Sequence, residues 1–94
     1  MKIEENKIIF KSLPEFWEKE YLNKKPYTVR FLDREEYYLL QKAIKKYGES
    51  GLLIDIKNIK SGDSFIRRII DISLFGEFLN RYFIGIAWET EKNK

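Results

Sequence analysis

The sequence predicts one α+β domain: a small β-sheet that curls, or closes into a barrel, with two flanking helices. Three observations predict it. Short runs rich in Ile, Val and Phe recur along the chain. Two helical patterns, each with a start signal, fall in its first half. Three apolar runs separated by turn residues fill its second half. At 94 residues the chain has the length of a single domain, residues 1–94. Hydrophobic residues make up 44% and aromatic residues 16%, enough for a compact core, and the charged 35% covers a well-solvated surface.

In chain order, Ile3 and then Ile8-Ile9-Phe10 suggest a first strand from about Lys7. Ser12 and Glu15 have capping-box spacing, and Pro14 suits a first helical turn, where its missing N–H has no partner to lose. The helix should run to about Leu22, with Leu13, Phe16, Trp17 and Tyr21 on one face and Asn23 and Pro26 stopping it. Tyr27 to Leu32 reads as a strand. Asp33 and Glu36 form a second box, opening a helix with Tyr37, Leu40, Ile44 and Tyr47 at helical spacing. Acidic residues lie near its start and Lys42, Lys45 and Lys46 near its end, as the helix dipole favours. Gly48 should end it.

Leu52 to Ile59, the turn Lys60-Ser61-Gly62-Asp63, and Ser64 to Phe75 read as a β-hairpin. Gly76 to Asn80 reads as a connection of up to one helical turn. Tyr82 to Trp88 is a last strand, apolar on both faces and therefore central in its sheet. Glu89 to Lys94 is a charged tail expected to fray.

Composition excludes several chemistries. The chain has neither Cys nor His, which removes thiolate chemistry, disulfides, the commonest general base and the usual zinc ligands. No metal or cofactor is expected. No secretory signal or membrane-length apolar run is visible, so a cytoplasmic setting with no membrane partner is expected. A net charge of +3 permits nucleic-acid binding without requiring it.

One stretch suggests a site. In Asn23-Lys24-Lys25-Pro26-Tyr27-Thr28-Val29-Arg30, a basic turn opens into a strand on which Thr28 and Arg30 share a face and Tyr27, Val29 and Phe31 the other. Lys24, Lys25, Thr28 and Arg30 could bind an anionic or polar ligand, the Arg30 fork serving phosphate or a base edge. The alternative is a partly exposed strand whose Arg pairs with a surface carboxylate. Arg68 stands between Ile66 and Ile70. It either enters the same pocket or is turned outward by a bulge or a face change at Arg67-Arg68. Aromatic residues could stack on bases, with Tyr27 and Trp88 expected to be half exposed. Lys42, Lys45 and Lys46 could meet phosphates or simply be solvated.

The stretch Asn23 to Arg30 resembles the signature of the ASCH domain, a relative of the PUA fold, whose pattern is Gly-x-Lys-x-x-Glu-x-Arg. Lys25 and Arg30 fall on the Lys and Arg positions, with Asn23 where Gly is usual and Thr28 where Glu is common. Arg30-Phe31-Leu32-Asp33-Arg34, Leu13-Pro14-Glu15-Phe16, the hairpin Gly62 to Phe65 and Ile86-Ala87-Trp88 are similar to small phage-encoded ASCH-like proteins of unknown function. The resemblance implies a small barrel with flanking helices, a cleft holding the Lys and Arg, and recognition of RNA or a modified nucleoside. A branch of acetylcytidine amidohydrolases has Thr at the third position. By that likeness Lys25 and Thr28 would be catalytic, with Glu77 as the candidate carboxylate. The leading expectation is a non-catalytic RNA- or nucleotide-binding module using Lys24, Lys25, Thr28, Arg30 and Arg68. The alternatives are an amidohydrolase acting on an acylated nucleoside and a phage protein that binds a host protein.

Overall fold

The computed structural model describes residues 1–90. It is an α+β domain with a six-stranded mixed sheet and two α-helices: β1 Lys2–Glu4, β2 Lys7–Ser12, α1 Pro14–Tyr21, β3 Tyr27–Leu32, α2 Arg34–Tyr47, β4 Leu53–Asn58, β5 Ser64–Phe78 and β6 Arg81–Trp88. Strand order is β1-β2-β4-β5-β6-β3. Only β2 and β4 run parallel; the other neighbours are antiparallel. The apolar strand β6 lies between β5 and β3, the central place that its two apolar faces demanded.

The core draws on β2, β4, β5 and β6 together with β3 and α2, and the sheet does not close on itself. Ile8 and Phe10 from β2, Ile54 and Ile56 from β4, Phe65 and Ile69 from β5, and Ile84, Ile86 and Trp88 from β6 meet with Leu32, Leu40, Ala43 and Leu52. Removing such side chains from water is the main stabilising term, roughly 1.5–3 kcal/mol for each large one. Trp88, expected to be half exposed, is fully buried and packs on Phe65, because its face of β6 is the one turned inward.

The second capping box forms as read: Asp33 Oδ1 accepts from Glu36 N–H at 2.8 Å, and Glu36 Oε1 accepts from Asp33 N–H at 3.0 Å. Gly48 ends α2 at φ +76°, a conformation that costs Gly little. The first box does not form. Ser12 remains in β2, its hydroxyl held by Arg30 and Glu20, so Leu13 is the N-cap and has no side-chain bond to the helix. The helix α1 also buries an unexpected residue. Phe16 and Tyr21 stay exposed, whereas Glu20 is inside. Trp17 anchors the helix by donating from Nε1 to the Ile56 carbonyl at 2.9 Å.

The expected strand Ser64 to Phe75 continues to Phe78, and no helical turn follows it. A two-residue turn, Leu79-Asn80, at φ +51° and +63°, leads directly into β6. Two register shifts, between Ile69 and Asp71 and between Leu74 and Gly76, keep β5 paired while it bends from the β4 half of the sheet to the β6 half. The first of them reverses the facing of the strand. Ile66, Arg68 and Ile70 therefore do not share a face with Ile72, which turns inward beside Ile86. The short strand β1, reached through Glu5 at φ +54°, adds an edge before β2. The expected frayed tail falls, beyond Thr90, outside the described residues.

Candidate functional site

Arg30 is the hub of a side-chain network between two strands that no backbone ladder joins. Its Nε donates to Thr28 Oγ1 at 2.8 Å, its Nη1 to the Lys11 carbonyl at 2.8 Å and its Nη2 to Ser12 Oγ at 2.6 Å. Ser12 Oγ in turn donates to Glu20 Oε1 at 3.1 Å. The guanidinium carbon lies 4.7 Å from the centre of the Phe10 ring, within cation–π range. Glu20 is 1% exposed, and Ser12 and Thr28 are also buried. Burial lowers the Arg30 pKa, and the nearby Glu20 charge opposes that shift. The group stays a cation at any accessible pH.

Side-chain alternation puts Thr28 and Arg30 together, and they are hydrogen-bonded. The other residues expected in the site are elsewhere. Lys25 Nζ lies 5.6 Å from the ring centres of both Phe16 and Tyr27. Tyr27 is on the solvent side of β3, half exposed as expected, and Thr28 on the core side, so the ammonium is held away from the hydroxyl. Lys25 and Thr28 share no hydrogen bond among the described residues. Lys24 is exposed, its N–H donating to the Lys19 carbonyl at 3.0 Å.

Arg68 projects from the outer face of β5, in register with Leu53 and Lys7, into a shallow hollow with Ile66 and Glu89. It does not join Arg30. The core-side arginine is its neighbour Arg67, which donates to the Tyr21 carbonyl at 3.3 Å and stacks on Phe65 at 4.8 Å. Phe65 and Ile69 define that inner face; the Ile66–Ile70 pair that suggested otherwise is half exposed. Glu77, the candidate carboxylate, is exposed far along β5, opposite Tyr82.

A cleft of about 740 Å³ opens beside the network and is lined by Lys2, Lys11, Arg30, Phe31, Asp55 and Lys57, among others. Three of the five guanidinium N–H groups are used internally, which leaves two donors on a side chain whose orientation is already fixed. Asp55 Oδ1 is buried and has no hydrogen-bond partner among the described residues. The cleft thus combines four cations, of which Lys2 is paired with the lining Glu4 at 3.2 Å, with the unpartnered Asp55 oxygen and an aromatic edge. No motif in the sequence marks Lys11 or Lys57. They are adjacent because parallel pairing sets Lys11 directly beside Lys57, and that register is a tertiary fact.

The basic end of α2 is solvated: Lys42 and Lys46 rest on the rings of Tyr38 and Tyr47 along a broad hollow formed mostly by that one helix. Among the described residues no cluster of His, Cys, Asp and Glu could hold a metal ion, and no helix is long and apolar enough to cross a membrane. Neither a family model, nor a curated protein, nor a solved structure matches the chain.

Proposed function

We propose that the chain is a non-catalytic cytoplasmic module that binds the phosphate and sugar of RNA or a nucleotide in the cleft beside Arg30. The observation that carries this reading is the anchored guanidinium. Three internal hydrogen bonds hold it in place, so little side-chain entropy is lost when its remaining donors meet a phosphate. Lys11 and Lys57 supply further positive charge around the same opening, where Lys2 is paired with Glu4. The unpartnered Asp55 Oδ1 offers an acceptor for a ribose hydroxyl or a base N–H. In this reading the curled sheet is a PUA-like barrel left open between β2 and β3, and the ligand binds along that seam, in keeping with the ASCH-like signature. The binding set moves from Lys24, Lys25 and Arg68 to Lys11 and Lys57, while Thr28 supports Arg30 from inside.

The test is fluorescence anisotropy with a labelled oligouridylate and, separately, a labelled mononucleotide. Affinity should fall with salt. The exposed double reversal Lys11→Glu/Lys57→Glu should weaken binding at least tenfold and lower the salt slope by about 0.7 for each phosphate no longer neutralised, without shifting the melting curve. Absence of binding at low salt, or binding indifferent to the double reversal, would refute the cleft as the site.

A further inference from the structure

The outer face of β3, β6 and the Phe75–Phe78 end of β5 is apolar where an antiparallel sheet ordinarily turns polar residues to water, with Asp71 and Ser73 at the other end of β5. Cross-strand pairing sets Tyr27 beside Ala87, Val29 beside Gly85 and Phe31 beside Phe83. Phe31 and Phe83 pack edge to face, with ring centres 4.2 Å apart. Phe75, at the second register shift of β5, lays its ring over Gly85, which has no side chain to obstruct it. Phe78 and Leu79 extend the patch to the hairpin tip.

We infer that this face is the interface of a two-fold homodimer. Two observations select a second copy as the occupant. The first is area. Tyr27, Val29, Phe31, Phe75, Phe78 and Leu79 leave 49–78% of their surfaces exposed, which for side chains of this size sums to on the order of 700 Å². That exceeds the apolar patch of most monomers and approaches the roughly 800 Å² per partner of a stable protein interface.

The second observation is the arrangement of charge. Lys25 lies against Tyr27 at one end of β3, and Asp33 follows the other end. Asp71, paired with Ala87, lies at the Lys25 end of β5, and Arg81, paired with Phe78, at the Asp33 end. Opposite charges therefore occupy neighbouring corners of the patch. A two-fold axis lying in the face, along the strands or across them, brings each corner over one of opposite sign. A face of this kind is complementary to itself. The interface leaves Lys11 and Lys57, on the outer side of the β2–β4 half of the sheet, uncovered and meets the proposed cleft at Phe31, which lines both.

Sedimentation equilibrium and light scattering on the full chain test this. A dimer of twice the 11.4 kDa protomer mass is expected, dissociating on dilution. Val29→Lys/Phe75→Glu should yield a monomer whose circular dichroism and cooperative melt are retained. Asp71→Arg and Arg81→Asp should each weaken the dimer at least tenfold. With the axis across the strands, which sets Asp71 over Arg81, the combined swap should restore it; with the axis along them, which sets Asp71 over Lys25, Lys25→Asp should restore the Asp71→Arg dimer, rescues that a merely misfolded variant cannot show. A chain that stays monomeric at every attainable concentration overturns the inference. So does a dimer unaffected by Val29→Lys/Phe75→Glu, or a monomer in which those two substitutions abolish oligouridylate binding instead.

Discussion

Arg30 of β3 donates through Nη1 to the main-chain carbonyl of Lys11 in β2, at 2.8 Å, and so spans the seam between two strands that share no ladder. Four strand-to-strand steps separate β2 from β3 along the sheet. Only the accumulated twist and the bends in β5 bring them together. The guanidinium does there what backbone hydrogen bonds do elsewhere in the sheet.

Arg30→Ala should therefore destabilise the fold by about 2–4 kcal/mol, the range for losing several hydrogen bonds to a charged group together with the Phe10 packing. Arg30→Lys should recover only part of that loss, since an ammonium cannot reproduce the fork that reaches Thr28, Lys11 and Ser12. Combined with Ser12→Ala, the loss should be less than additive, because both substitutions remove the same bond. Urea denaturation of the four variants provides the numbers. Additive losses, or an unperturbed Arg30→Ala protein, would mean that the seam is held by packing alone.

Gly85 is required by its neighbour. A Cβ at this position would lie 2.5 Å from the Phe75 ring, so Gly85→Ala must displace that ring, at a cost of about 1–3 kcal/mol. In a Phe75→Ala background the same substitution should cost much less, since the ring is gone. Thermal melts of the two singles and the double measure this coupling. Equal effects of Gly85→Ala in the two backgrounds would show that Phe75 does not rest there in solution.

The β5–β6 turn carries Leu79 at φ +51°, where its Cβ crowds the backbone at a cost of about 1–2 kcal/mol. Leu79→Gly should stabilise the protomer by about 1 kcal/mol, the strain relieved being partly offset by the greater freedom of Gly when unfolded. The denaturation midpoint should rise with an unchanged denaturant slope. A fall in the midpoint would show that the turn in solution differs from the positive-φ geometry.

Much of the fold is legible from local pattern. Asp33 and Glu36 announce α2, Gly48 its end, and Asn23, at φ +61°, the stop after α1. The two apolar faces of Tyr82 to Trp88 announce a central strand. Within the candidate site, Thr28 and Arg30 are legible as a pair because side-chain alternation acts over two residues. Ser12 and Glu20 are not: one carries the spacing of a helix cap, the other the polarity of a solvated helix face. Arg68 reads as a companion of Arg30 only while alternation is taken as unbroken along β5, and the register shift after Ile69 breaks it.

By itself the sequence determined the two helices and the positions of β2 to β6, though neither the separate β1 nor the end of β5, and that neither thiol nor imidazole chemistry operates here. Those properties depend on residues at most four apart, or on composition. The tertiary structure alone decided that Arg30 would meet Ser12, that Lys11 would lie beside Lys57, and that an apolar sheet face would remain uncovered. Such juxtapositions come from register, bulges and the summed twist of six strands. Each strand contributes a small rotation, and only their total determines which rims meet.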